Sequence, residues 1–246
     1  MNMYEMIAAD LDGTLLDSGK KVTDLTRHQM ENLKRKNKCI VIASGRTVDE
    51  IKDLIPDLEL ERYEKAYFIS HNGARTAKAK DDVLMREATL NHEDIVSLLR
   101  LIGNANLRYH LFSPDGLFVP SDMPKDAILK HFDSYGYERL GNWEGNYLDH
   151  AYKILIFDMP DKLDAFRNSL PPDIRKKYSV VKSVPFLLEL AAKNATKELA
   201  LADLAEKLGY KKEEIVAFGD EENDMGMLEL AGLGVAMANA SAKVRE

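Results

Sequence analysis

Met6-Ile7-Ala8-Ala9-Asp10-Leu11-Asp12-Gly13-Thr14 decides how this chain is read: four apolar residues in succession, then two carboxylates flanking a leucine, a glycine and a threonine. An unbroken apolar run of this kind predicts a strand covered on both faces, as in a parallel sheet. Its polar end then falls at the carboxyl edge of the sheet, where open α/β folds bind ligands. Four more runs share the character: Cys39-Ile40-Val41-Ile42-Ala43, Ala66-Tyr67-Phe68-Ile69, Ile215-Val216-Ala217-Phe218 and Leu233-Gly234-Val235-Ala236. Between the first two, residues 23–36 predict a helix with Leu25, Gln29 and Leu33 on one face. Thr47-Val48-Asp49-Glu50 reads as a capping box that opens a second helix. Leu201, Leu204, Ala205 and Leu208 recur at helical spacing, and Gly209 supplies the stop. Strands alternating with amphipathic helices predict an α/β fold on a parallel sheet.

The middle of the chain differs in kind. Residues 84–184 hold 12 of the 19 aromatic residues in a chain of 246, so this stretch is expected to build its own core. Its elements suggest an α+β domain inserted into an α/β domain made of residues 1–83 and 185–246. Tyr109, His110 and Phe112 are candidates there to line a substrate pocket. The whole chain carries 34 lysines and arginines against 41 aspartates and glutamates, a formal charge of −7. That balance argues against nucleic acid and anionic membranes as partners, since both reward a basic face. The single cysteine, Cys39, rules out an intrachain disulfide framework and a multi-cysteine zinc site. No apolar run approaches a membrane span, and charge comes too early for a signal peptide. A cytoplasmic location is therefore expected.

Three of the buried runs end in polar residues suited to one task. The first ends in Asp10 and Asp12, whose two-residue spacing lets both point into the crevice. The second ends in Ser44-Gly45-Arg46 before the capping-box helix, where a hydroxyl and backbone amides suit a phosphate. The fourth ends in Gly219-Asp220-Glu221-Glu222-Asn223-Asp224, whose crowded carboxylates repel; a solvated loop relieves this by spreading out, and a bound divalent cation turns it into attraction. Lys197 sits in the first turn of the helix bearing Leu201, where the macrodipole disfavours a cation; an anion there would remove the conflict, and so would a long stem that snorkels out into water. Carboxylates, a hydroxyl, a lysine and an implied Mg²⁺ are the parts needed for phosphoryl transfer.

Taken in order, Asp10-Leu11-Asp12-Gly13-Thr14-Leu15, Ser44-Gly45-Arg46, Lys197 and Gly219 to Asp224 resemble the four motifs of the haloacid dehalogenase superfamily. His71-Asn72-Gly73-Ala74 and the run Gly232 to Ala240 look like its Cof-type branch. The resemblance implies a Rossmann-like parallel-sheet core with an inserted α+β cap that selects the substrate. It also implies a Mg²⁺-dependent phosphatase acting on a small phosphomonoester, such as a sugar phosphate or a phosphorylated cofactor. Asp10 would be the nucleophile that becomes an aspartyl-phosphate, and Asp12 the acid and base. Ser44, Gly45 and Lys197 would hold the phosphate. Mg²⁺ would be bound by the Asp10 carboxylate, the Asp12 backbone carbonyl and Asp220, with Thr14, Arg46, Asn223 and Asp224 in support. The alternatives are a phosphomutase of the same superfamily and a cap-bearing binding protein without turnover.

Overall fold

A computed structural model describes residues 4–114, 116–120, 137–140 and 149–246. The chain forms two compact units, Met1–Glu87 with Asn194–Glu246, and Ala88–Lys193. The first unit begins with strand β1 (Met6–Ala9), helix α1 (Asp24–Arg35), β2 (Cys39–Ala43), α2 (Val48–Leu54) and β3 (Ala66–Ser70). It continues with β4 (Arg75–Lys78) and β5 (Leu84–Glu87). Thr23 caps α1, its hydroxyl accepting from the Thr26 amide at 3.1 Å, and Lys34 and Arg35 complement the dipole in the last turn. The expected capping box of α2 forms: the Glu50 amide donates to Thr47 Oγ1 and the Thr47 amide to Glu50 Oε2.

The second unit contains β6 (Leu90–Asn91), α3 (His92–Asn104), β7 (Arg108–Ser113), β8 (Gly116–Pro120) and β9 (Tyr137–Leu140). After these come β10 (His150–Ala151), β11 (Lys153–Phe157), α4 (Pro160–Ser169), α5 (Pro172–Lys177), β12 (Tyr178–Val184) and β13 (Leu187–Ala192). Six strands form a sheet in the order β12-β13-β11-β7-β8-β9, antiparallel except at β8–β9. Alternation separates its faces. Tyr109, Leu111, Ile154, Ile156 and Leu190 pack with Ile95, Leu99 and Leu163 of the helices. Tyr109 is thus a core residue, whereas Phe112 packs with Leu117 and Leu155, and His110 stands edge-on to Phe157.

The chain re-enters the first unit as α6 (Lys197–Leu208), β14 (Ile215–Gly219), α7 (Met225–Leu230), β15 (Leu233–Ala236) and α8 (Ala242–Arg245). Its seven-stranded sheet has the order β15-β14-β1-β2-β3-β4-β5, parallel from β15 to β3 and antiparallel at β3–β4–β5. One face packs Met6, Ala8, Val41 and Ala217 against Leu201 and Leu204 of α6. The other packs Ala9, Ile40, Ile42 and Phe68 with Met30 and Ile51. Two sequence expectations change. On α1 the buried residue is Met30, while Leu25 is 70% exposed at the rim of a groove of about 700 Å³ lined by Ile7, Leu33, Val216 and Phe218. Leu233–Ala236 is a strand, but it lies at the sheet edge with only Val235 half-buried, so its run is not covered on both faces.

Candidate active site

Asp10, Ser44 and Asp220 are each the first residue after a strand, and the strands are the adjacent trio β14, β1 and β2. Parallel neighbours lie about 4.8 Å apart, so equal register brings three residues distant in sequence to one edge. Ala9 is level with Phe218 on one side and Ile42 on the other. The ladder continues into the site, with the Asp10 amide donating to Phe218 O at 3.0 Å and the Ser44 amide to Ile69 O at 2.8 Å.

Lys197 enters from the first turn of α6, which Thr196 caps through the Leu199 amide. Its spacing to Ala200, Leu201 and Leu204 places it on the helix's apolar stripe, so it is buried rather than snorkelling outward. Lys197 Nζ donates to Asp10 Oδ1 at 2.5 Å and to Asp224 Oδ1 at 2.7 Å. The other oxygen of Asp224 accepts the Asp220 and Glu221 amides, each at 3.0 Å. Asp224 therefore fixes the loop and anchors the lysine together. Glu198, next in sequence, lies instead against Gly226 of α7, where an added Cβ would stand 2.7 Å from its Oε2.

Burial pushes the Asp10 carboxyl up to about 6; the charge of Asp224 adds to this and Lys197 opposes it. Burial also raises Asp220, with Asp224 contributing. Burial disfavours the charge on Lys197, but Asp10 and Asp224 outweigh it and hold the ammonium above its ordinary range. The site is thus a buried, acid-rich edge in which Lys197 supplies a fixed cation.

Asp12 is placed differently. Arg46 grips its carboxylate with two bonds, Nε to Oδ2 at 2.6 Å and Nη2 to Oδ1 at 2.8 Å, and also donates to Glu50 at 3.2 Å. The Arg46 hydrogen bonds hold the Asp12 pKa below its ordinary value, against the opposing effect of burial. Ser44 Oγ accepts the Arg46 amide at 3.2 Å. Gly13 has φ +81, and a Cβ there would sit 2.3 Å from Asp220 Oδ2, so only glycine lets the β1 turn approach that carboxylate. Thr14 Oγ1 donates to Asp220 Oδ1 at 3.0 Å.

Asp10, Asp220 and Asp224 each offer a carboxylate oxygen, all within 4.8 Å of one another. Three buried carboxylates against one ammonium leave excess negative charge, and an all-oxygen donor set suits a hard divalent cation such as Mg²⁺. The Asp12 carboxylate lies outside this cluster, among the described residues, because Arg46 holds it. Two further amide contacts join elements far apart in the chain. Asn239, after β15, donates to Asp220 Oδ2 and Gly13 O, both at 3.0 Å, so it fastens the β1 turn to the acidic loop. Asn223 donates to Asn72 Oδ1 at 3.0 Å, which brings the turn after β3 into the site. Asn239 belongs to the Gly232–Ala240 run, but nothing near it in sequence names its partners.

The sequence pattern of haloacid dehalogenase-like hydrolases matches residues 7–246. Over 98% of its length the chain is 29% identical to the 5-amino-6-(5-phospho-D-ribitylamino)uracil phosphatase YcsE of Bacillus subtilis, covering 87% of that protein. It is 27% identical to an HMP-PP phosphatase of Yersinia pseudotuberculosis over 99% of its own length and 87% of the relative's. Among solved structures it resembles TM0651 from Thermotoga maritima, with 31% identity, a TM-score of 0.86, and coverage of 99% of this chain and 90% of that one.

Proposed function

We propose the reaction from one premise: this chain belongs to the haloacid dehalogenase-like hydrolase family. It is a phosphoric monoester hydrolase, and our reading is that Asp10 attacks the phosphorus of a small phosphomonoester. The observation that carries this is the convergence of Asp10, Lys197 and Asp224 through hydrogen bonds of 2.5 and 2.7 Å at the edge formed by β14, β1 and β2. Asp10 would form an aspartyl-phosphate, which water then hydrolyses, so that one difficult displacement becomes two easier ones. Lys197, the Ser44 hydroxyl and the Gly45 amide would meet charge on the transferring oxygens. Mg²⁺ would be held by Asp10, Asp220 and the Asp12 backbone carbonyl, with Asp224 behind them, and would supply charge neutralisation on the phosphoryl oxygens.

Asp12 serves as acid and base. Gripped by Arg46 it is a carboxylate, the form needed to activate water in the second half of the reaction. For the first half it must leave that grip and carry a proton to the leaving alcohol. Asp12→Asn is expected to slow turnover by about 10²- to 10⁴-fold, the usual worth of a general acid–base, with Mg²⁺ affinity kept. Isothermal titration with Mg²⁺ alongside steady-state kinetics checks both halves; undiminished turnover would remove Asp12 from the role.

The substrate is read as a sugar phosphate or a phosphorylated cofactor. The relatives named for HMP-PP and for a phosphoribitylamino uracil support that range. The inserted unit is assigned the choice of leaving alcohol, and a cytoplasmic location goes with substrates of this kind. Phosphate release across sugar phosphates, nucleotides and phosphorylated cofactors, with Mg²⁺ or EDTA, tests the reading. Mg²⁺-dependent release from members of this panel supports it, and release unaffected by EDTA would overturn its metal component.

A further inference from the structure

We propose that Asn72 is a positioning residue for phosphoryl transfer, tying the phosphate-binding turn after β2 to the acidic loop after β14. The proposal rests on the phosphatase reading of this site. The four-residue segment between β3 and β4 opens with three successive residues at positive φ, His71 at 49, Asn72 at 56 and Gly73 at 102, before right-handed Ala74. Gly73 has no alternative, because a Cβ there would stand 2.2 Å from Thr196 O, beside the start of α6. His71 and Asn72 are not glycine, and they bear the steric conflict of a side chain in this conformation; asparagine is among the residue types that tolerate it best.

The backbone of this segment is locked to the turn after β2. The His71 amide donates to Arg46 O and the Asn72 amide to Ser44 O, both at 2.9 Å. The Asn72 side chain then reaches two ways. Its Oδ1 accepts from Asn223 Nδ2 at 3.0 Å, in the loop that carries Asp220 and Asp224. Its amide group also lies against Gly45, where a Cβ would come within 3.1 Å of both Oδ1 and Nδ2. One residue therefore grips the phosphate-binding turn with its main chain and the acidic loop with its side chain. A turn that only reverses the chain needs the left-handed backbone and has no use for the amide.

Asn72→Gly separates these readings, because glycine keeps the backbone conformation without strain and deletes the side chain. Positioning predicts a fall of about 10- to 100-fold in kcat/KM, carried mainly by kcat, with Tm unchanged or raised. Orthovanadate binding in the presence of Mg²⁺, measured by calorimetry, is expected to weaken about 10-fold, reflecting the same misplacement. In Asn72→Gly/Asn223→Ala the loss should not exceed that of the worse single variant, since both break one link. Wild-type kcat/KM and vanadate affinity in Asn72→Gly would overturn the proposal, as would additive losses in the double variant or a loss of activity matched by a loss of stability. A wild-type protein that hydrolyses no phosphomonoester yet binds vanadate better than Asn72→Gly does would sink the phosphatase reading and keep the positioning role. If wild type neither hydrolyses nor binds, both fall.

Discussion

Asp10→Asn is expected to lower phosphate release by at least about 10³-fold while making the metal-free protein more stable at neutral pH. The first effect follows from losing the attacking oxygen. The second follows from the sign of its ionisation. Burial raises the folded-state pKa of Asp10 from 3.8 to about 6, so the folded protein favours the neutral carboxyl. The contribution of such a group to stability declines as pH rises from 3.8 through about 6 and is least favourable above it. Asparagine removes that ionisation and still offers an oxygen to Lys197. The gain should be about 1–3 kcal/mol above pH 7, or roughly 2–12 °C in Tm, and should vanish towards pH 4. Thermal melts of both proteins in EDTA, at pH 4 and pH 8, measure it. A fall in Tm at pH 8 would mean that the Lys197 pair outweighs the burial of Asp10.

Lys197→Met should fail in both respects. The ammonium is fully buried and is bonded to Asp10 and Asp224, which are themselves nearly or fully buried. Removing it leaves two carboxylates facing one another without a counter-charge, and breaking a buried pair from one side typically costs about 3–5 kcal/mol. For a chain of this size that is roughly 6–20 °C in Tm. The deficit should be smaller at pH 5 than at pH 8, because Asp10, already raised by burial and held down by Lys197 in the wild type, takes up a proton still more readily once the ammonium is gone and relieves the repulsion. Added Mg²⁺ should recover part of it, since a cation bound by the folded state stabilises that state. Activity should be lost whether or not the fold is restored. A destabilisation independent of pH and of Mg²⁺ would show that Lys197 acts through packing alone.

These expectations indicate what was legible before any geometry. Five apolar runs are strands because burial on both faces, or at least in the interior of the sheet, demands unbroken apolar sequence; only the edge run at Leu233 departs from that cover. Lys197 was legible as a conflict with the helix dipole, and its phase with Leu201 and Leu204 contained the further fact that it is buried. Asp10, Ser44 and Asp220 were legible because each directly follows a strand, where parallel topology leaves little choice of location. The pairing of Asp12 with Arg46 was not, since it joins residues across two strand ends and no local pattern encodes such a bond. The contacts of Asn239 and Asn72 were hidden for the same reason: a single amide carries no periodicity, and Asn72 meets Asn223, 151 residues away, while Asn239 meets Gly13, 226 residues away. Asn72 stands between antiparallel β3 and β4, and its side chain is directed to the acidic loop.

If Asp10 attacks phosphorus, it carries the phosphoryl group during turnover. Rapid quenching of wild-type protein during turnover of an active phosphomonoester, followed by borohydride reduction and peptide mass spectrometry, tests it directly. Reduction of an aspartyl-phosphate gives homoserine, and the expected result is homoserine at position 10, dependent on substrate and absent from Asp10→Asn. Phosphate release in full while position 10 stays aspartate, with the label on another residue or on none, would contradict the account.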